Sequence, residues 1–171
     1  MLKHRMNAIR QLLLEDGPTR TALREIEVEM RLMATERDFS QYRRASPGEE
    51  LAHKLDVPSD GGASLYLVSD GHGTVTPPHR HDTWAVIVGL EGREMNQIYK
   101  VSSSTAKTVE QIKVKTIGPG ESIVMSEEDI HGTVTVGPDA TFHLHLYGVD
   151  LSTLPPISER TYMVVPARHQ S

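Results

Sequence analysis

The chain has 171 residues, a formal net charge of −5 and no cysteine. A chain of this length suits one domain with a substantial core, since domains most often run to about 100–150 residues and single ones are commonly larger. The acidic balance, with a pI near 6.0, offers no basic stripe for nucleic acid or anionic membrane. Without cysteine there are neither disulfides nor thiolate ligands, so a metal would have to be held by histidine and carboxylate.

No run approaches the roughly 18 apolar residues of a spanning helix, and the N-terminal "MLKHRMNAIRQ" lacks the apolar core of a signal peptide. The expectation is a cytoplasmic protein with neither membrane nor nucleic-acid partner.

From Leu2 to about Glu15, the residues Leu2, Met6, Ile9, Leu12 and Leu13 recur at helical spacing, and "EDGP" ends the pattern. A second amphipathic helix begins near Pro18 or Thr19, carries Leu23, Ile26, Met30 and Met33 on one face, and stops before Phe39. Such a face serves to cover an open side or edge of a sheet. "YRRASPGEELAHKLDVPSDGGAS" then reads as a polar connector, leading into the strand "SLYLVSD".

From there the pattern is strand and turn. "WAVIVGLEGREMNQIYKV" reads as a hairpin turning near Glu91 and Gly92, "KTVEQIKVKTI" alternates, and "GPG" precedes "ESIVM". "IHGTVTV", a "GPDA" turn and "TFHLHLYGV" complete the series. Short strands without intervening helices imply an antiparallel sandwich or barrel.

Five of the nine histidines fall in these strand-like stretches. In "PPHRHDTWAVI", His79 and His81 are two apart, so in a strand begun by Pro78 both face the same side, as two ligands of one ion require. For an isolated HxH pair, two solvated polar residues at a strand end are the favoured reading. His131, opening "IHGTVTV" after a turn, supplies a third ligand from a distant strand. In "TFHLHLYGV", Phe142, Leu144 and Leu146 share one face while His143, His145 and Tyr147 share the other, which is either solvated or directed into a site. His72 reads as a turn residue, and His4, His53 and His169 as exposed.

Taken together, "PPHRHDTW", "GLEGRE", "IHGTV" and "HLHLYG" resemble, in that order, the two signature motifs and last strand of the cupin-superfamily thiol dioxygenases. The likeness runs from Ser64 to about Asp150 and is nearest to the 3-mercaptopropionate dioxygenase branch of the cysteine dioxygenase-like group. It implies an all-β core, a cupin double-stranded β-helix barrel with the N-terminal helices packed against it. Residues 1–45 then form a helical segment of the same domain, and residues 46–171 the barrel with a C-terminal extension. It also implies Fe(II) held by His79, His81 and His131. Many cupins add a carboxylate ligand four or five residues after the second histidine. Ala85 and Val86 stand there, which favours the three-histidine group.

The family's outer-sphere Ser, His and Tyr map onto His143, His145 and Tyr147, so a histidine stands where the family has serine. The resemblance implies catalytic roles for this row and a small carboxylate-bearing thiol substrate, oxidised with O2 to its sulfinate. A buried carboxylate needs a guanidinium partner. Arg44 in "QYRRA" and Arg160 in "SERTY" are the candidates, Arg160 being preferred, and Trp84 is a candidate pocket wall. Cupins often form homodimers, so a homodimer is expected by analogy. The competing expectations are a cupin metalloenzyme of different chemistry, such as a non-thiol dioxygenase, isomerase or decarboxylase, and a non-enzymatic small-molecule-binding cupin.

Overall fold

Two N-terminal helices, α1 (Leu2–Asp16) and α2 (Arg20–Glu36), form a hairpin in the computed structural model, which describes residues 2–103 and 105–165. The turn between them is short because the Thr19 side chain accepts from the amide of Ala22 at 3.2 Å and starts α2 at once. Such a cap contributes about 1 kcal/mol. Arg5 joins the two helices through Glu29 at 2.6 Å and through Glu36. The buried stripe is Met6 and Ile9 of α1 with Ala22, Leu23, Ile26, Met30 and Met33 of α2, as the helical spacing predicts.

The rest is strand: β1 (Glu50–Asp56), β2 (Ser64–Asp70), β3 (Val75–Arg80), β4 (Ala85–Glu91), β5 (Arg93–Ser103), β6 (Thr108–Ile117), β7 (Ser122–Met125), β8 (Ile130–Val136), β9 (Phe142–Tyr147) and β10 (Met163–Val164). One five-stranded sheet has the order β1-β2-β9-β4-β7 and the other β10-β6-β5-β8-β3. All pairings are antiparallel except the short β10 beside β6. The helices pack on the outer face of the first sheet, against Leu65, Leu67, Val86, Val88, Phe142, Leu144 and Leu146. Tyr66, Val68, Ala85, Ile87 and Tyr147 form a second apolar cluster on its inner face. With both faces covered, β2 and β9 are buried along their whole length, and β4 along most of it.

Three expectations need correction. The polar connector contains β1, whose Leu51 and Leu55 alternate with Glu50, Ala52 and Lys54, and which pairs along its length with β2. The turn at Gly92 is real, but β4 and β5 are not hairpin partners: β4 pairs with β7 and β9, and β5 with β6 and β8. Gly92 has a φ of +68°, and a Cβ there would lie 3.0 Å from the carbonyl oxygen of Ala140, so a tight left-handed corner carries the chain from one sheet to the other. The third concerns His53, which is half-buried: its Nε2 lies 3.0 Å from the carbonyl oxygen of Arg43, and its ring sits on Tyr42 with centroids 5.3 Å apart. His4 and His72 are exposed as expected, and His169 lies outside the described residues.

Candidate metal centre

β3 carries Pro77 and Pro78, which cannot donate to a ladder, and it lies at the free edge of its sheet. Its register with β8 shifts between Thr76 and His79 and then resumes with His79 directly opposite His131. A Cβ at position 132 would be 2.9 Å from the Thr76 carbonyl oxygen, so Gly132 lets this irregular edge come close beside His131. His81 falls just past the end of β3. Asp82 follows with a φ of +57°, a region that Asp tolerates better than most residues, and its carboxylate accepts from Arg80 Nε at 2.5 Å.

These placements bring the three imidazoles together. His81 Nε2 lies 3.2 Å from His79 Nε2 and 3.2 Å from His131 Nε2, and the ring centroids are 4.7–4.9 Å apart. The other nitrogen of two rings is already committed. His79 Nδ1 donates to the Pro77 carbonyl and His131 Nδ1 to Asn96 Oδ1, each at 2.9 Å, which leaves both Nε2 atoms as lone pairs. All three residues are buried. Burial holds each of them below the ordinary histidine range, with repulsion from neighbouring histidines adding to the effect at His81 and His131. Neutral, converging lone pairs are the state that binds a metal, and these residues form a group able to hold one.

Beside this group, His145 Nδ1 lies 2.8 Å from the Tyr147 hydroxyl, and the Tyr147 ring stands 5.1 Å from that of His81. Burial pushes Tyr147 far above the ordinary phenol range and His145 well below the ordinary imidazole range, so both are neutral. The solvated alternative for this face of β9 is excluded, since its histidines and Tyr147 are all buried. The histidines, His145 and Tyr147 open on a cavity of about 200 Å³, which Leu151, Ile157 and Arg160 also line.

No protein-family model matches the chain, and no curated protein matches its sequence. Solved structures do. A cupin superfamily protein from Desulfitobacterium hafniense aligns with a TM-score of 0.51 at 14% identity, over 67% of this chain and 93% of that one. The cupin domain of Schizosaccharomyces pombe Cnp3 aligns at 0.52 and 8% identity, over 68% and 70%. An oxalate oxidase aligns at 0.50 and 19% identity, over 67% of this chain and 61% of the enzyme. The fold is that of the cupins.

Within this cupin barrel the remaining candidate residues separate. Arg160 ends a 3₁₀ turn (Ile157–Arg160) and is drawn to the cavity by the bridge between Thr161 and His79. Its Nη1 donates to the carbonyls of Arg80 and His81 at 2.9 and 2.8 Å, and its Nε to that of Pro155 at 3.0 Å. Arg44 and Trp84 do not line the cavity. Arg44 lies outside the barrel, where it pairs with Glu91 at 2.7 Å and stacks over Phe142 at 4.9 Å. Trp84 packs on the helix side of the first sheet, because alternation along β4 points Ala85 and Ile87 inward and its own side outward.

His143 separates from the two residues it was grouped with. It is fully buried and does not line the cavity; its Nδ1 lies 3.6 Å from Glu94 Oε2. Burial pulls it down to about 4. Asp70 and Glu94 do line the cavity and were missed from the sequence, as was Asn96, whose Nδ2 donates to Glu94 Oε1 at 3.0 Å. Burial pushes Asp70 up to about 7, with Glu50 repelling it further, and burial with repulsion from Asp70 pushes Glu94 up to about 8. The available signal was "EMN": Glu94 and Asn96 share a face in an alternating strand, but the apolar Met95 between them suggests that its own side is the inner one.

Proposed function

We propose that the chain is a non-haem iron(II) dioxygenase that converts a small carboxylate-bearing thiol and O2 to the sulfinate. The observation that carries this reading is the ligand group itself: three imidazole Nε2 atoms converge with no carboxylate among them, and Ala85 occupies the apolar position where a fourth ligand would stand. An all-imidazole set leaves the charge of a divalent ion uncancelled, which favours an anionic thiolate and an additional diatomic ligand. Ferrous iron bound by His79, His81 and His131 would supply the redox chemistry that joins both atoms of O2 to the substrate sulfur.

The protein's own groups would position the reactants. Arg160 is held at three donor positions by backbone carbonyls, and its Nη2, with no hydrogen bond among the described residues, would meet a substrate carboxylate. Tyr147 keeps its proton at neutral pH, so it serves as a hydrogen-bond donor and not as a base. With the His145 proton on Nδ1, the imidazole donates to the phenolic oxygen and aims the Tyr147 O–H into the cavity, where negative charge develops. Leu151 and Ile157 add apolar walls to the same space. His143, standing where the resembled family has a serine, takes no part in this relay, because it faces Glu94.

The test is anaerobic Fe(II) loading followed by O2 uptake with 3-mercaptopropionate, cysteine, mercaptosuccinate and cysteamine, with the product identified by mass spectrometry. Uptake with a carboxylate-bearing thiol and a mass gain of two oxygen atoms is the expected result. No uptake with any thiol, while a non-thiol substrate turns over, overturns the reading in favour of other cupin metal chemistry.

A further inference from the structure

We propose that Asp70, Glu94 and His143 form a second cation site inside the barrel, one that takes a divalent transition-metal ion such as Zn2+ independently of the three histidines. The three residues come from β2, β5 and β9, and their ligand atoms lie within 4.8 Å of one another. All are buried, with exposures of 4, 2 and 0%.

The spacing fits shared ligation better than direct bonding. Glu94 Oε2 and His143 Nδ1 are 3.6 Å apart, beyond the roughly 3.2 Å limit of an ordinary N–H···O bond. Two ligands on one tetrahedral ion, each about 2.0–2.2 Å from it, would stand about 3.4 Å apart. Neither nitrogen of His143 has a hydrogen-bond partner, and neither does Asp70 Oδ1. Buried polar atoms are nearly always bonded, so an unpartnered Asp70 oxygen and an unpartnered nitrogen of His143 in one group mark a missing partner.

Charge identifies that partner. Among the described residues, neither carboxylate forms an ion pair with a lysine or arginine; the titratable groups that Glu94 meets are the neutral imidazole of His143 and the carboxyl of Asp70. Two buried carboxylates without a cation are costly, and His143 resists becoming that cation because burial disfavours its charged form. A divalent ion supplies what the site lacks, and two carboxylates with one imidazole are a donor set suited to zinc, manganese or ferrous iron. The site also has a link to the first one. Asn96 accepts from His131 Nδ1 and donates to Glu94 Oε1, so one side-chain amide touches both clusters.

Chelator-stripped protein titrated with ZnCl2 at neutral pH, with bound zinc counted after desalting, tests this directly. Wild-type protein is expected to take two ions per chain, the His79→Ala/His81→Ala variant one, and the Asp70→Asn/His143→Gln variant one. Glu94 is left unchanged because it also holds Asn96. Should the second double variant fail to fold, Asp70→Asn alone removes a repelling charge, so it should melt no lower than metal-free wild type while losing more than about tenfold in affinity for one ion. A wild-type chain that binds one zinc, lost in His79→Ala/His81→Ala and unaltered by Asp70→Asn, overturns the proposal and leaves the carboxylates sharing a proton. Two ions retained at full affinity in Asp70→Asn overturns it as well.

Discussion

His79, His81 and His131 lie between the same two sheets as Asp70, Glu94 and His143, and both groups are buried. They differ in how burial treats them. The histidines become neutral, which costs little and leaves their lone pairs converging. The carboxylates become neutral only by holding protons they would lose in water, and Asp70 keeps an unsatisfied oxygen. Low dielectric thus prepares one cluster for a metal and makes the other hold protons that a bound cation would displace.

The largest separation between the two should come from ligand removal. His131→Ala is expected to lower Fe(II) affinity by more than about 100-fold and to abolish O2 uptake, measured as iron retained after dialysis. Asp70→Asn, in the other cluster, should leave iron at the histidines within about twofold. Equal iron loss in both variants would mean that the two clusters act as one site. A smaller effect is expected at the link between them. Asn96→Ala removes the acceptor that fixes the His131 tautomer, and comparable outer partners contribute about 10–100-fold in metal affinity.

The arginines provide the next contrast. Arg160→Ala should raise KM for a carboxylate-bearing thiol by about 10–100-fold, the range of a charge-assisted hydrogen bond, and leave KM for cysteamine, which has no carboxylate, nearly unchanged. Arg44→Ala should alter neither beyond about twofold, since its partner is Glu91 on the outer surface. Steady-state kinetics with both thiols distinguishes these outcomes.

What was legible in the sequence is what a period of two encodes. The inward row of β9 and the HxH pair follow from alternation, and the helices from their apolar stripe. Pairing partners were not legible: a turn at Gly92 marks a corner, but whether the chain returns along its own strand or crosses to a facing sheet depends on distant strands. β1 was hidden because its cavity-facing residues include Glu50, which reads as solvated. Glu94 and Asn96 were hidden for the same reason. Polar residues inside a barrel look like surface until their partners are known, and for Asn96 those partners lie 35 residues away at His131 and two residues away at Glu94.

The smallest predicted effect concerns pH and the metal-free protein. Asp70 and Glu94 hold protons up to about 7 and about 8 in the folded state, whereas carboxylates in the unfolded chain lose theirs near 4. Their contribution is therefore full below pH 4 and is lost as pH rises through the folded values. The buried histidines act with the opposite sign: neutral when folded and protonated below about 6.5 when unfolded, they cost stability as pH falls. Near pH 6.5 the unfolded histidines are still half protonated and oppose the carboxylates, but above about pH 7.5 they are largely neutral in both states and the carboxylates dominate the slope. Stability measured by urea unfolding should therefore fall between about pH 7.5 and 8.5, by at most about 1.4 kcal/mol per pH unit for each excess proton held. Asp70→Asn should flatten that slope, and a midpoint that rises across this interval would show that the carboxylates are already ionised and compensated in the folded protein.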